Sequence, residues 1–118
     1  MAKWVIVGDG FTEMVEEFIS TTGQVPNADL YANLIKEEYE EWAEAKDPEH
    51  ELKELADLVY VIYGYATTKG YGLTSAVERV HSNNIGRCYQ ADGTIRRRDD
   101  GKIMKNPDYP KVDLSDLV

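Results

Sequence analysis

Cysteine is almost absent from this chain. Cys88 is alone among 118 residues, which excludes an intrachain disulfide and a zinc site built on thiolates. A chain without disulfides is expected in a reducing compartment, so a cytoplasmic location is expected. Histidine is scarce too, at two residues, His50 and His81. Long apolar runs are missing. The one N-terminal run, Trp4 to Val7, is far too short for a secretion signal or a membrane span. Positive charge is in deficit, with 13 Lys and Arg against 22 Asp and Glu and a net charge of −9. Such a surface repels phosphate backbones, which argues against nucleic-acid and membrane partners. It does not exclude a small anionic substrate, because clustered carboxylates that bind divalent cations invert their local charge.

What is present is helical periodicity. The length fits a single domain over 1–118, with a helical core at about 9–88 and a C-terminal arm at 89–118. Residues 3–8 read as a short strand or extended arm. Phe11, Met14, Val15, Phe18 and Ile19 follow helical spacing and predict a first helix to about Thr21. A second helix is expected from Asn27–Asp29 to about Ala45. Asp47-Pro48 is a helix start, with Asp at the cap and Pro at the first helical position. The third helix then runs to Lys69 and stops at Gly70. Thr74 opens a fourth helix that ends near Arg87. Beyond it, Asp92-Gly93 and Asp99-Asp100-Gly101 are turn signals, and Thr94–Arg98 can pair with Lys102–Lys105 as a hairpin. The expected class is all-α: four helices, a short N-terminal extended arm, and a C-terminal hairpin with an extended tail.

The acidic residues of the middle helices carry the chemistry. On a wheel turning about 100° per residue, Tyr31, Leu34, Ile35, Trp42 and Ala45 form the inner stripe of the second helix. Glu38 and Glu41 fall inside that stripe, whereas Glu40 and Glu44 point elsewhere and Glu37 lies at its border. On the third helix, Leu58, Val61, Ile62 and Tyr65 mark the inner face, and Glu54 and Asp57 lie within it. Two helices joined by a short connection therefore each aim a carboxylate pair, three residues apart, at the packed side. Carboxylates so placed must be protonated, paired with Lys or Arg, or bound to cations. The wheels place no Lys or Arg on the inner faces, with Lys36 and Lys53 outward or at the border. Oxygen-only ligation by several carboxylates suits Mg²⁺ or Mn²⁺. A solvated acidic face is the ordinary meaning of a charge run, and it suits Glu40 and Glu44.

Glu37-Glu38-x-x-Glu41 followed by Glu54-x-x-Asp57 resembles the EExxE…ExxD signature of the all-α nucleoside triphosphate pyrophosphohydrolases. That group includes MazG, dimeric dUTPases and phosphoribosyl-ATP pyrophosphohydrolase. Further segments follow in order: Met14-Val15-x-x-Phe18, Leu34-Ile35, Glu54-Leu55-x-Asp57-Leu58, Val80-His81-x-x-Asn84-x-x-Arg87, and Asp100-Gly101-Lys102 through Lys105-x-Pro107-x-Tyr109. The chain looks most like the short MazG-like proteins often found in phages. It departs from their pattern at Ala56, Asn83 and Arg87, the last replacing a usual Lys.

The resemblance implies a magnesium-dependent enzyme, active as a homodimer or homotetramer, that cleaves a (d)NTP to the monophosphate and pyrophosphate. Some MazG-like phage proteins favour dGTP. It further implies that Glu38, Glu41, Glu54 and Asp57 ligate Mg²⁺ (or Mn²⁺) and that Glu37, with Glu38, serves the attacking water. Asn84, Arg87, Lys102 and Lys105 would then meet the phosphates. From the residues themselves, Trp4, Phe11, Tyr31 and Trp42 are candidates to stack on a base, and Asn33 and Asn83 to hydrogen-bond one, although core or interface roles suit each aromatic better. Tyr60 and Tyr63 fall on the outer side of the third helix, which predicts a second packing surface and supports an oligomer built through the third and fourth helices. Two alternatives stand beside this: a dUTPase-like, phosphoribosyl-ATP-like or alarmone hydrolase of the same fold, and a non-catalytic acidic helical module.

Overall fold

The computed structural model describes residues 10–25 and 27–118. The extended arm expected at residues 3–8, with Trp4, lies outside the described residues. The elements in order are α1 (Gly10–Thr22), α2 (Ala28–Ala43), α3 (Pro48–Lys69), α4 (Leu73–Arg87), β1 (Arg96–Arg97) and β2 (Ile103–Met104), then a 3₁₀ turn at Ser115–Leu117. The class is all-α, as the sequence implies. Among the described residues no helix is long and apolar enough to cross a membrane.

Local chemistry fixes the helix boundaries. The Asn27 side chain caps α2 by accepting from the Leu30 amide at 3.2 Å. Asp47 caps α3 in the same way, accepting from the His50 amide at 2.8 Å, with Pro48 in the first turn. Because Asp47 must be extended to do this, α2 ends at Ala43 rather than Ala45, and residues 44–47 make the turn. At the far end of α3, Gly70 adopts φ +75°, and the Gly70 and Tyr71 amides close onto Thr67 and Ala66 carbonyls.

The chain forms two compact units. The first holds α1, α2 and α3, through Thr74. In it α3 is central, packed by both α2 and α1. Its core is small: Val15, Tyr31, Val61, Tyr63 and Ala66 are the buried apolar residues. Tyr31 lies against Gly64, where any β-carbon would overlap the tyrosine ring, and its hydroxyl donates to Gln24 Oε1 at 2.7 Å.

The outer position expected for Tyr63 is corrected here, while Tyr60 is 36% exposed as expected. Tyr63 is buried, its ring 5.3 Å from that of Phe11, and its hydroxyl meets Thr74 Oγ1 at 3.0 Å. Tyr60 stands edge-on to Phe18 at 5.9 Å. A wheel shows that an aromatic lies opposite the α2-facing side of α3; it cannot show that α1 covers it. An apolar cavity of about 350 Å³ remains between α1 and α3, lined by Phe11, Met14, Val15, Ala56, Val59, Tyr60 and Tyr63.

The second unit spans Ser75–Leu117. Arg96 and Arg97 pair antiparallel with Met104 and Ile103 across the Asp99–Gly101 turn. This is the expected hairpin, trimmed to its centre. The tail is strapped to α4. Arg79 holds Asp116 with two hydrogen bonds of 2.5 and 2.8 Å, Asn83 donates to the Pro110 carbonyl at 2.9 Å, and the Asn106 amide donates to the Arg87 carbonyl at 2.7 Å. Tyr109 packs on Gly86, which has no room for a side chain.

Candidate active site

The first unit brings three of the four inward carboxylates together. Glu38 and Glu41 stand one turn apart on α2, and Glu54 faces them from α3. One oxygen of each lies within 4.8 Å of the others. The helical register does this: positions 38 and 41 share a face, and the turn at 44–47 folds α3 back beside it. Burial grades across the trio. Glu41 is exposed and Glu38 half-buried, while the Glu54 side chain keeps only 6% of its exposure.

Glu54 Oε2 and Glu38 Oε2 are both shut off from solvent with no hydrogen-bond donor. Such an atom is costly to leave unpaired, more so when charged. The electrostatics follow. Burial pushes the Glu38 carboxyl up to about 7, helped by hydrogen bonding and repulsion from Glu41 and by Asp57. Glu41 is also raised, first by sharing a hydrogen bond with Glu54 and then by burial and repulsion from Glu54 and Glu37, against a lowering hydrogen bond with Glu38. Two carboxyl groups can share a hydrogen bond only when one holds a proton.

Asp57 departs from expectation. It is not among the three, and the Lys53 ammonium lies 2.6 Å from its Oδ2. Lys53 also lies 3.7 Å from Glu54 Oε1, and His50 Nε2 is 3.6 Å from that oxygen. The wheel position of Lys53, outward or at the border, gave no such partner. A lysine has a long flexible stem, and from the border of a helix it reaches the residue one turn on. The spacing Lys53 to Asp57, and His50 to Glu54, was the available signal. Lys46, His50 and Lys53 line a cavity of about 860 Å³ together with Glu41, Glu44 and Glu54.

The remaining candidates divide. Glu37 is exposed on α2, as is Asn33. Trp42 is half-buried, with its ring 5.8 Å from that of Tyr39. Tyr31 is a core residue and is removed from the base-stacking candidates. Asn83 holds the tail, so it is removed from the base-reading ones. In the second unit, Asn84, Lys102 and Lys105 line one cavity of about 500 Å³ with Ile85, Cys88 and Ile103. Arg87 is half-buried, and its Nε is enclosed without a partner.

The family model of phosphoribosyl-ATP pyrophosphohydrolase matches residues 10–84, from the first residue of α1 to near the end of α4. The chain belongs to this family. The family is an all-α, MazG-related one, so the chain is a pyrophosphohydrolase, a hydrolase that acts on a phosphoanhydride of a nucleotide-like substrate. Metal dependence is typical of the family, and a cluster of acidic residues is present in the trio. No curated protein and no solved structure matches the chain.

Proposed function

We propose that this phosphoribosyl-ATP pyrophosphohydrolase family member acts as a MazG-like, Mg²⁺-dependent enzyme that cleaves a (d)NTP to (d)NMP and pyrophosphate, with a purine such as dGTP favoured. The observation that carries the reading is the pair of enclosed, donorless oxygens on Glu38 and Glu54. No amide, hydroxyl, Lys or Arg among the described residues donates to them, and a hard divalent cation would satisfy them. The donor set fits that ion, since it is all oxygen and supplied by carboxylates. Glu38, Glu41 and Glu54, joined by Asp57, are the groups that would hold it. When bound, the ion supplies charge neutralisation for the phosphates and acidifies water.

The chain's own residues do the rest. Glu38 is assigned to accept a proton from the water that attacks the α-phosphorus. Glu37, exposed beside it, orients that water. Asn84, Lys102 and Lys105, gathered on one cavity wall, together with Arg87, are assigned to the phosphates and to charge growing on departing pyrophosphate. Trp42 and Asn33 are assigned to the base. The apolar cavity between α1 and α3, beside the half-exposed Phe11, Met14 and Phe18, supports a homodimer or homotetramer.

The family match favours a second substrate, phosphoribosyl-ATP, which carries the same triphosphate and would yield the same pyrophosphate. Pyrophosphate release measured across dGTP, the other dNTPs and NTPs, dUTP, an alarmone and phosphoribosyl-ATP separates the two. A turnover preference for dGTP, abolished by EDTA and restored by Mg²⁺, supports the first reading. A preference for phosphoribosyl-ATP replaces it. No pyrophosphate from any of them, with Mg²⁺ or Mn²⁺, sinks both.

A further inference from the structure

We propose that Lys53 is a tethered counter-cation: it holds Asp57 out of the acidic trio, yields it to an arriving divalent ion, and then presents its ammonium to the substrate's phosphates. This role presupposes the metal-dependent reaction proposed above.

The first observation is competition for one oxygen. Lys53 Nζ lies 2.6 Å from Asp57 Oδ2 and 3.7 Å from Glu54 Oε1, so one ammonium sits between two carboxylates of the candidate metal set. An ammonium at that distance puts a positive charge beside an arriving cation, and the two repel.

The second observation is that the trio stays uncompensated despite Lys53. Glu54 Oε2 and Glu38 Oε2 remain enclosed and donorless. One lysine therefore covers the outer edge of the cluster and leaves its interior unsatisfied. An exposed ammonium at the edge does not reach the enclosed oxygens, and a doubly charged ion nearer the interior outcompetes it.

The third observation is mobility of the right kind. The Lys53 side chain is 66% exposed, so only the ion pair, not packing, holds it in place. Exposed pairs of this sort are weak. On release the four-carbon stem stays anchored to the wall of the 860 Å³ cavity that Glu41 and Glu54 also line. That cavity adjoins the trio, and His50 and Lys46 share its wall. A freed ammonium there faces the anion that the metal draws in. Lys53 thus lowers the affinity for a bare ion and raises it for the metal-bound substrate.

The test is calorimetric titration of the full-length protein with Mn²⁺ and Mg²⁺, for wild type, Lys53→Met, Lys53→Arg and the exposed control Lys36→Met. Lys53→Met is expected to bind Mn²⁺ roughly 5-fold tighter, whereas Lys53→Arg, which keeps a charge there, and Lys36→Met stay at the wild-type value. In steady-state assays at saturating metal, Lys53→Met is expected to raise the nucleotide KM roughly 10-fold, with Lys53→Arg recovering most of it. Unchanged or weaker Mn²⁺ binding by Lys53→Met overturns the counter-cation role. Tighter metal with an unchanged KM overturns the step toward the phosphates. Absence of metal binding from every variant, wild type included, overturns instead the metal-dependent reaction itself.

Discussion

The Tyr31 ring covers Gly64 so closely that a β-carbon at position 64 would stand inside it. This approach sets the distance between α2 and α3, and with it the distance between Glu38 and Glu54. Gly64→Ala is expected to destabilise the protein by about 3 kcal/mol, at the upper end of the usual cost of overpacking, because the obstacle is a ring tethered through Gln24. Thermal denaturation followed by circular dichroism checks it. A melting temperature equal to wild type would show that the helices are free to move apart. Tyr31→Leu in the Gly64→Ala background is expected to recover part of the loss, since it removes the clashing atoms.

Glu38 predicts a pH dependence with a definite sign. Its carboxyl rises from an ordinary 4.5 to about 7 in the folded protein. A raised acid favours its protonated form in the native state. The stability it confers is present below about 4.5 and is lost as pH climbs through about 7. In EDTA, wild type is expected to lose on the order of 1–3 kcal/mol between pH 5 and pH 8 from this group. Glu38→Gln removes that loss and melts higher than wild type at pH 8, while pyrophosphate release falls at least about 100-fold. Glu40→Gln, on the exposed side of α2, is the control. Parallel pH profiles for wild type and Glu38→Gln would refute the assignment.

Arg79 and Asp116 carry the opposite sign. The guanidinium holds the Asp116 carboxyl down to about 2. The contribution of this pair is therefore present above about 3.8 and disappears as pH falls through about 2. At neutral pH, Asp116→Asn is expected to loosen the tail and speed tryptic cleavage after Lys111 several-fold. Asp108→Asn, whose side chain lies outside the strap, leaves the cleavage rate near that of wild type. Equal cleavage rates for the two variants would show that the other tail bonds suffice.

Lys102 and Lys105 share a cavity wall with Asn84. If they bind phosphates, Lys102→Met and Lys105→Met raise the nucleotide KM by roughly 10-fold each, with kcat and melting temperature little changed. A fall in kcat at constant KM would place them instead on the transition state alone.

Much of the architecture could be read from local rules. Asp47-Pro48 and Gly70 bracket α3 because a capping carboxylate and a left-handed glycine act within a few residues of chain. The hairpin at Arg96–Met104 follows from the Asp99–Gly101 turn for the same reason. The convergence of Glu38, Glu41 and Glu54 was legible because helical periodicity fixes the direction of each side chain about its own axis. The role of Lys53 was not legible from its wheel position. Direction at Cα says little about where four further bonds carry an ammonium, and the neighbouring carboxylates decide that.

By itself, then, the sequence determined the helices, their caps, and the faces that carry acid, since each depends on bonds or spacings within a turn or two of chain. Tertiary structure decided which faces meet: α1 covering Tyr63, Gly64 yielding to Tyr31, and Glu54 losing its water while Asp57 keeps a lysine. Those outcomes depend on distances between segments remote along the chain, and close packing sets them to within a methyl group.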